Sequence, residues 1–268
     1  MNSGEMLRQA KESYSRGSNT GEGVKLLPFP APPSAVLPPG DFFDRLLEAA
    51  FECSPKLRHS FAIRLVRGGW NKKQIREWVR QDYQRTVVLI RRHALLAANS
   101  PDYETIWGLL TRVKAEADAD LVSGTFFALP QLWIKFGIAL GMSREEITGY
   151  RPHPLLGIVN ESMLDEVRFS TALPVGEFVD ALLDPVFYGI WGEALGASLG
   201  INNDALDFFR AIEADRWGEE TGRKIFERLA VSHESQTELW NRYRSEVERG
   251  RERERFTILE GILEGVPA

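Results

Sequence analysis

An amphipathic segment at residues 72–99 constrains the fold of this chain more than any other stretch. Asn71 before it is a good helix N-cap, and Ser100-Pro101-Asp102 after it is a helix stop signal. Its core-facing positions recur at helical spacing, namely Ile75, Trp78, Val79, Thr86, Leu89, Ile90 and Leu96. A helix with such a face must bury it against other helices. Because no segment shows convincing β-type alternation, the sequence predicts an all-α bundle.

Helical periodicity extends over most of the remaining chain. Asp41 is predicted to cap the first helix, and residues 57–66 to form a short second one. A capping box at Ser143 and Glu146 opens a further short helix. Other predicted helices cover residues 129–141, 155–172, 175–199, 204–231 and 234–263. Pro185 is expected to kink its helix or to divide it.

The first 40 residues differ in composition from the rest. Residues 1–22 are rich in Ser, Gly, Asn and charge, and residues 26–40 are dense in proline, which cannot continue a helix. We expect a flexible tail and a Pro-rich strap over residues 1–40, followed by one helical domain over residues 41–268. The strap is expected to lie on the domain or on a partner subunit, or to be a disordered linker.

Composition excludes several classes of protein. The 268 residues are 43% hydrophobic and 26% charged, which is typical of a globular protein with a sizeable core. The formal net charge of −5 argues against a dedicated nucleic-acid binder. A single cysteine, Cys53, excludes an intramolecular disulfide and a cysteine-rich metal site. No apolar run reaches the length of a membrane span, so we expect a cytoplasmic protein without a membrane partner.

Four motifs of the chain can be compared with known families, namely His59-Ser60-Phe61, the segment IRLVRGGWNKKQIREWV, the helix end HALLAANSPD and the helix pair LPQLWIKFGIALGMSREEI. Together they resemble the TenA/PqqC group of the haem-oxygenase-like fold. The resemblance covers residues 58–147 well and is closer to the PqqC branch than to the thiaminase branch. It implies a bundle of about seven or more helices around a central cavity, often in a homodimer. It also implies a small nitrogen-containing substrate and, in the PqqC branch, oxygen chemistry without a metal or organic cofactor.

The ligand set of the di-iron members of this fold is incomplete here. Those members use a Glu with a His seven residues on, a lone carboxylate, and a His-x3-Asp-x2-His set. Seven residues after Glu116 stands Ser123, and Thr221 occupies the place of the last histidine. Asp184 or Glu193 could supply the lone carboxylate. The sequence therefore argues against a di-iron site and leaves a carboxylate-rich site as the remaining metal hypothesis.

His59 is the first candidate catalytic residue. Its counterpart in the family points toward the central cavity, and an imidazole with a pKa near neutral exchanges protons readily. The competing interpretation is that His59 only fixes the short helix by a hydrogen bond.

A second group of candidates lies on the long helix. Asp82 and Tyr83 are predicted to be catalytic and Thr86 to bind substrate, because positions 82 and 86 share a helical face. The family presents a basic residue to an anionic substrate in this region, so Asp82 implies a substrate with a positive charge. The alternative is a buried Asp82 paired with Arg85 or Arg112.

Two later segments supply the remaining candidates. Glu116 is predicted to be catalytic and Asp120 to bind substrate, since they lie one helical turn apart, although both could equally be solvated. Arg216 and Glu220 are predicted to close the same cavity as substrate-binding residues.

These observations predict a PqqC-like oxidoreductase that uses molecular oxygen on a small nitrogen-containing metabolite in a biosynthetic pathway. Its chemistry would be metal-free or use an atypical metal site, and it would form a homodimer. The alternative is a non-catalytic member of the fold that binds a metabolite or a protein. A thiaminase-type hydrolase fits less well, because Cys53 lies on the first helix, away from the expected nucleophile position.

Overall fold

A computed structural model describes residues 3–16, 27–117, 128–168 and 175–267. Regular structure in these ranges is entirely helical, which confirms the predicted all-α class. The helices are α1 (Ser3–Arg16), α2 (Pro39–Cys53), α3 (Pro55–Arg58), α4 (Ser60–Val66), α5 (Lys72–Asn99), α6 (Tyr103–Ala117), α7 (Leu129–Ala139), α8 (Arg144–Thr148), α9 (Pro154–Arg168), α10 (Val175–Leu199), α11 (Asp207–Glu213), α12 (Arg223–Leu229), α13 (His233–Arg249) and α14 (Arg251–Glu264). A 3-10 turn (Asn203–Leu206) precedes α11, and a π-helical segment (Gly218–Gly222) precedes α12.

Helix α5 is the central element of the bundle. It begins where predicted, because the Asn71 side chain accepts the Gln74 amide while the Gln74 side chain accepts the Asn71 amide. At Ser100 the backbone becomes extended and the helix ends. Helices α6, α7, α9 and α14 pack around it, and its face includes buried Trp78 and Val79. The predicted capping box of Ser143 and Glu146 is likewise present at the start of α8.

Helix α10 runs unbroken over the predicted range with Pro185 inside it. Proline has no amide hydrogen, so Pro185 cannot donate to the carbonyl of Ala181 one turn earlier. Gly218, the first residue of the π-helical segment, packs against this carbonyl. A Cβ atom at position 218 would lie only 2.7 Å from the Ala181 oxygen. Pro185 therefore leaves the Ala181 carbonyl without its helical donor, and the π-helical segment packs over this carbonyl.

Several predicted helix boundaries were wrong. The first helix of the domain, α2, begins at Pro39, and no side chain caps it, so Asp41 lies within its first turn. The predicted 57–66 helix is divided at His59, whose backbone is extended. The long C-terminal helix is divided at Gly250, which adopts a left-handed conformation with φ of 68°.

The prediction of a flexible tail was wrong for residues 3–16, which form helix α1. Its residues Met6, Ala10 and Tyr14 are buried against the bundle, and α1 packs on α10. The Tyr14 hydroxyl donates to the backbone carbonyl of Lys56. In the strap, Phe29 is buried against the rings of Trp240 and Tyr243. Within the described residues, no helix is both long and apolar enough to cross a membrane.

Candidate functional site

A cavity of about 1020 Å³ lies inside the bundle. Helices α5, α6, α9, α10 and α13 and the π-helical segment contribute to its wall. Its lining is unusually rich in charge, with Lys56, Arg85, Arg92, His93, Arg112, Glu116, Glu166, Glu177, Asp180, Asp184, Asp207, Arg210, Asp215, Arg216, Glu220, Glu246, Arg251, Glu252 and Arg253. Side chains of this kind are rarely enclosed unless they pair with one another or bind a ligand.

His93 bridges two carboxylates at the cavity wall. Its Nδ1 lies 2.6 Å from Glu116 Oε2, and its Nε2 lies 2.5 Å from Glu177 Oε2. Arg112 donates to Glu116 over 3.0 Å, and Arg92 pairs with Glu177. A neutral imidazole donates from only one nitrogen, but both nitrogens of His93 face a carboxylate oxygen. A second proton is therefore shared in this bridge, either on the ring or on one of the two carboxyl groups. The three side chains form a continuous path for a proton.

Burial and charge oppose each other in this bridge. Burial lowers the pKa of His93, and Glu116 acts in the opposite direction. Burial alone would raise the pKa of Glu116, but His93 and Arg112 hold it below its usual value. The charged residues around the bridge therefore keep Glu116 ionised and able to accept a proton.

A second group of charges lies farther along α10. Lys56 donates to Asp184 over 2.6 Å and lies 4.0 Å from Asp180. Burial would lower the pKa of Lys56, but Asp184 and Asp180 raise it. Across from them on α13, Glu246 Oε2 accepts the amide of Gly176 over 3.0 Å. Burial raises the pKa of Glu246 to about 7, and the neighbouring acids Glu166 and Asp180 add to the rise.

We expect Glu246→Gln to stabilise the protein selectively at high pH. The pKa of Glu246 is higher in the folded than in the unfolded chain, so its contribution to stability is present below about pH 4.5 and is lost as the pH rises to about 7. Glutamine keeps the acceptor for Gly176 and removes the charge. Urea denaturation should show a gain of about 3 kcal/mol near pH 8 and about 1 kcal/mol or less near pH 5. An equal effect at both pH values would contradict this assignment.

His59 does not line the cavity. Its Nδ1 accepts the amide of Phe61, which caps α4, and its Nε2 lies 3.1 Å from Thr257 Oγ1. Burial lowers the pKa of His59 to about 4, so its imidazole is uncharged at neutral pH. The catalytic role of His59 stays a prediction, and the geometry favours the competing interpretation of a helix-fixing hydrogen bond.

His59→Ala is expected to lower the free energy of unfolding by about 1 kcal/mol through loss of the cap, without loss of turnover. His59→Asn should recover most of this stability, because asparagine is a good N-cap. Denaturation and turnover measured on both variants separate the two roles. Loss of turnover in both well-folded variants would instead support acid–base catalysis by His59.

Asp82 also lies outside the cavity lining. It accepts the Trp78 indole N–H over 2.9 Å and pairs with Arg255 over 2.6 Å. The alternative prediction, that Asp82 is buried and paired with an arginine, agrees with this geometry. The arginine is Arg255, however, and not Arg85 or Arg112. The implied positive charge of the substrate therefore cannot rest on Asp82. Tyr83 is partly buried against the core and does not line the cavity either.

The structure brings four other predicted residues to the cavity. Glu116, Thr86, Arg216 and Glu220 all line it, and the Thr86 hydroxyl donates to the carbonyl of Tyr83 over 2.7 Å. Asp120 lies outside the described residues. Cys53 also lines the cavity. From the sequence, a thiaminase-type enzyme is a poorer fit because Cys53 is expected to lie away from the nucleophile position, and its place in the cavity lining weakens that reason. Burial raises the pKa of the Cys53 thiol, which opposes formation of a nucleophilic thiolate.

Sequence reasoning missed His93 and the acidic face of α10. His93 follows Thr86 by seven residues, so it lies on the same face of α5 two turns later, and this spacing could have identified it. Glu177, Asp180 and Asp184 are likewise spaced by three and four residues along α10. By contrast, Glu193 pairs with Lys11 on the outer surface. No sequence signal links these helices across the cavity, because the link depends on tertiary packing.

The residues present do not fit the di-iron centre of the relatives. In the described part of the chain, no three His, Cys, Asp or Glu side chains are arranged to hold a metal ion. Both nitrogens of His93 already face carboxylates, and Thr221 supplies no imidazole from the π-helical segment. Ser123 lies outside the described residues.

Comparison with known proteins identifies part of the chain. No curated protein matches it. The model of the TENA/THI-4/PQQC family matches residues 49–172, which include α5, α6 and α9 of the cavity wall and exclude α10, α13 and the π-helical segment. This match confirms the resemblance drawn from the sequence and indicates a TenA-like or PqqC-like enzyme. Over residues 49–172, this chain is similar to the TENA/THI-4/PQQC family.

Proposed function

We propose that this chain is a PqqC-like oxidoreductase that oxidises a small nitrogen-containing metabolite with molecular oxygen in the central cavity. The observation that carries the proposal is the Glu116–His93–Glu177 bridge at the wall of a cavity of about 1020 Å³. A cavity of that size is large enough to bind a small molecule. The pathway would be biosynthetic and cytoplasmic, as the sequence predicts.

Glu116 is the proposed proton acceptor. Both of its oxygens are already hydrogen bonded, to His93 and to Arg112, and each keeps a second lone pair. In the oxidation, a C–H and an N–H bond of the substrate break and a C=N bond forms. The substrate thus loses two electrons and two protons, which oxygen takes up as hydrogen peroxide. His93 and Glu177 would relay the proton that Glu116 takes up, and that proton ends on the peroxide.

Untargeted metabolite profiling tests this proposal. The purified protein is incubated with a small-molecule extract of the cells that produce it, with and without oxygen. We expect oxygen-dependent depletion of a nitrogen-containing compound together with hydrogen peroxide. Retention of a compound without conversion would favour the non-catalytic alternative. If no compound is converted and none is retained, the result contradicts both the proposed oxidation and the non-catalytic alternative.

The homodimer remains part of this proposal. Exposed Tyr103, Trp107 and Leu110 recur at helical spacing on α6 and are compatible with an interface. Light scattering during gel filtration should give about twice the 30.3 kDa mass of one chain. A mass of one chain at micromolar concentration would contradict the dimer.

A further inference from the structure

Most carboxylates of the cavity have a cationic partner. Glu177 pairs with Arg92 and His93, Asp184 with Lys56, Glu252 with Arg85 and Arg255, Glu166 with Arg249 and Arg251, and Glu116 with Arg112. Burying a charge is costly unless an opposite charge compensates it, so these pairs account for the presence of those residues without a ligand.

Asp180 and Glu246 are not matched in this way. The nearest cation to Asp180 is Lys56 at 4.0 Å, and Lys56 is already engaged with Asp184 at 2.6 Å. The Asp180 side chain keeps 48% of its surface accessible although it lies inside the bundle, which means that it is open to the cavity. Glu246 uses one oxygen to accept the Gly176 amide and makes no ion pair within the described ranges.

These two carboxylates lie close to each other. Gly176, which donates to Glu246, precedes Asp180 by one turn of α10. Burial raises the pKa of both groups, and the charge of Asp180 contributes to the rise at Glu246, whereas the charge of Arg92 lowers the pKa of both. A cation between them would relieve the burial cost of Glu246 and the repulsion between the two carboxylates.

Arg112 supplies an independent sign of a ligand. It lines the cavity, is nine-tenths buried, and donates from Nε to Glu116 over 3.0 Å. Its guanidinium lies over the ring of Trp217, 4.8 Å from the centroid. Its Nη1, however, has no hydrogen-bond partner among the residues that the structure describes. An unsatisfied buried donor on a cation is destabilising, and the anionic group of a ligand bound beside Arg112 would satisfy it.

We propose that the cavity binds a zwitterion whose protonated amine lies between Asp180 and Glu246 and whose anionic group pairs with Arg112. The bridge of Glu116, His93 and Glu177 connects these two ends, because Arg112 contacts Glu116 and Glu177 precedes Asp180 by about 4.5 Å along α10. The middle of the ligand therefore lies beside the proton path. This inference names the substrate class of the proposed function and requires no turnover for its test.

Calorimetry with three simple probes tests the inference. ε-Aminocaproate carries both charges, hexylamine carries only the amine, and caproate carries only the carboxylate. We expect ε-aminocaproate to bind wild-type protein at least about tenfold more tightly than either single-charge probe. Asp180→Asn and Glu246→Gln should weaken binding of the two amines and leave caproate unchanged. Arg112→Gln should weaken binding of the two carboxylates and leave hexylamine unchanged.

A proton-release measurement adds a second readout. An amine beside Glu246 lowers the pKa of that carboxyl, so binding near pH 7 should release a fraction of a proton. Calorimetry in two buffers of different ionisation enthalpy measures that fraction, and Glu246→Gln should abolish it. Thermal unfolding of each variant confirms that it is folded.

Two results would overturn the inference. One is equal binding of all three probes, and the other is no binding of any probe at roughly millimolar concentration. Neither result would contradict the proposed function, because the protein could still oxidise a metabolite that is not a zwitterion. Conversely, selective binding of ε-aminocaproate without any oxygen-dependent conversion would contradict the proposed oxidation and leave the ligand class in place.

Discussion

Arg255→Leu should lower the free energy of unfolding by about 3–5 kcal/mol, because it breaks a buried charge network from one side. Arg255 is 1% exposed and donates to Asp82 over 2.6 Å and to Glu252 over 2.8 Å. These partners raise the pKa of Arg255 despite the opposing effect of burial. The leucine leaves Asp82 buried with the Trp78 indole as its one side-chain donor among the described residues. Urea denaturation monitored by circular dichroism measures the loss.

Arg168→Leu is the matched control for Arg255. Arg168 pairs with Asp165 over 3.0 Å, but both side chains are about half exposed. Exposed pairs of this kind contribute about 1 kcal/mol or less, so this variant should be near wild type. Adding Asp82→Leu to Arg255→Leu should recover part of the loss, since it removes the unpaired charge. Similar losses for Arg255→Leu and Arg168→Leu would show that the buried network does not stabilise the fold.

Glu116→Gln is expected to lower turnover by about 10²–10⁴-fold while the protein stays folded. Glutamine has nearly the shape of glutamate and still accepts from Arg112, but it cannot take up a proton. Its amide also removes the anion that faces His93 Nδ1 at 2.6 Å. The rate should be measured on the compound identified by metabolite profiling, over a range of pH. The acidic limb of the wild-type pH profile should disappear in the variant.

His59→Asn provides the control for the Glu116 experiment. This residue lies outside the cavity lining, and the substitution keeps a cap for α4. We expect its rate and pH profile to match those of wild type. If Glu116→Gln retained full activity with an unchanged pH profile, Glu116 would have no part in proton transfer.

The sequence predicted the fold well where local signals determine the structure. Asn71 and Gln74 form the capping box that starts α5, and α10 occupies the predicted range despite Pro185. The helix boundaries that failed depend on longer-range contacts. His59 divides its helix while it contacts Thr257, nearly 200 residues away in sequence. Helix α1 looked too polar to be ordered, but Met6, Ala10 and Tyr14 are enough to dock it.

The candidate site was less predictable than the fold. Glu116, Thr86, Arg216 and Glu220 line the cavity as predicted, whereas Asp82 points to Arg255 instead. The spacing of residues shows which side chains share a face of a helix. It does not show whether a polar side chain on that face lines the cavity or pairs with a buried charge on another helix. The carboxylates of α10 and α13 come together only because those helices pack on each other, and no motif in either one records that contact.

The match to the TENA/THI-4/PQQC family divides the cavity wall into two parts with different roles in the proposed ligand binding. Arg112, Glu116 and His93 belong to the matched segment, whereas Asp180 and Glu246 lie beyond residue 172. In the proposed binding mode, both carboxylates at the amine end lie outside the matched segment, so the family match carries no information about that end of the ligand. Two proteins that look alike over residues 49–172 can accept different compounds, so inheritance of the fold does not imply inheritance of the substrate.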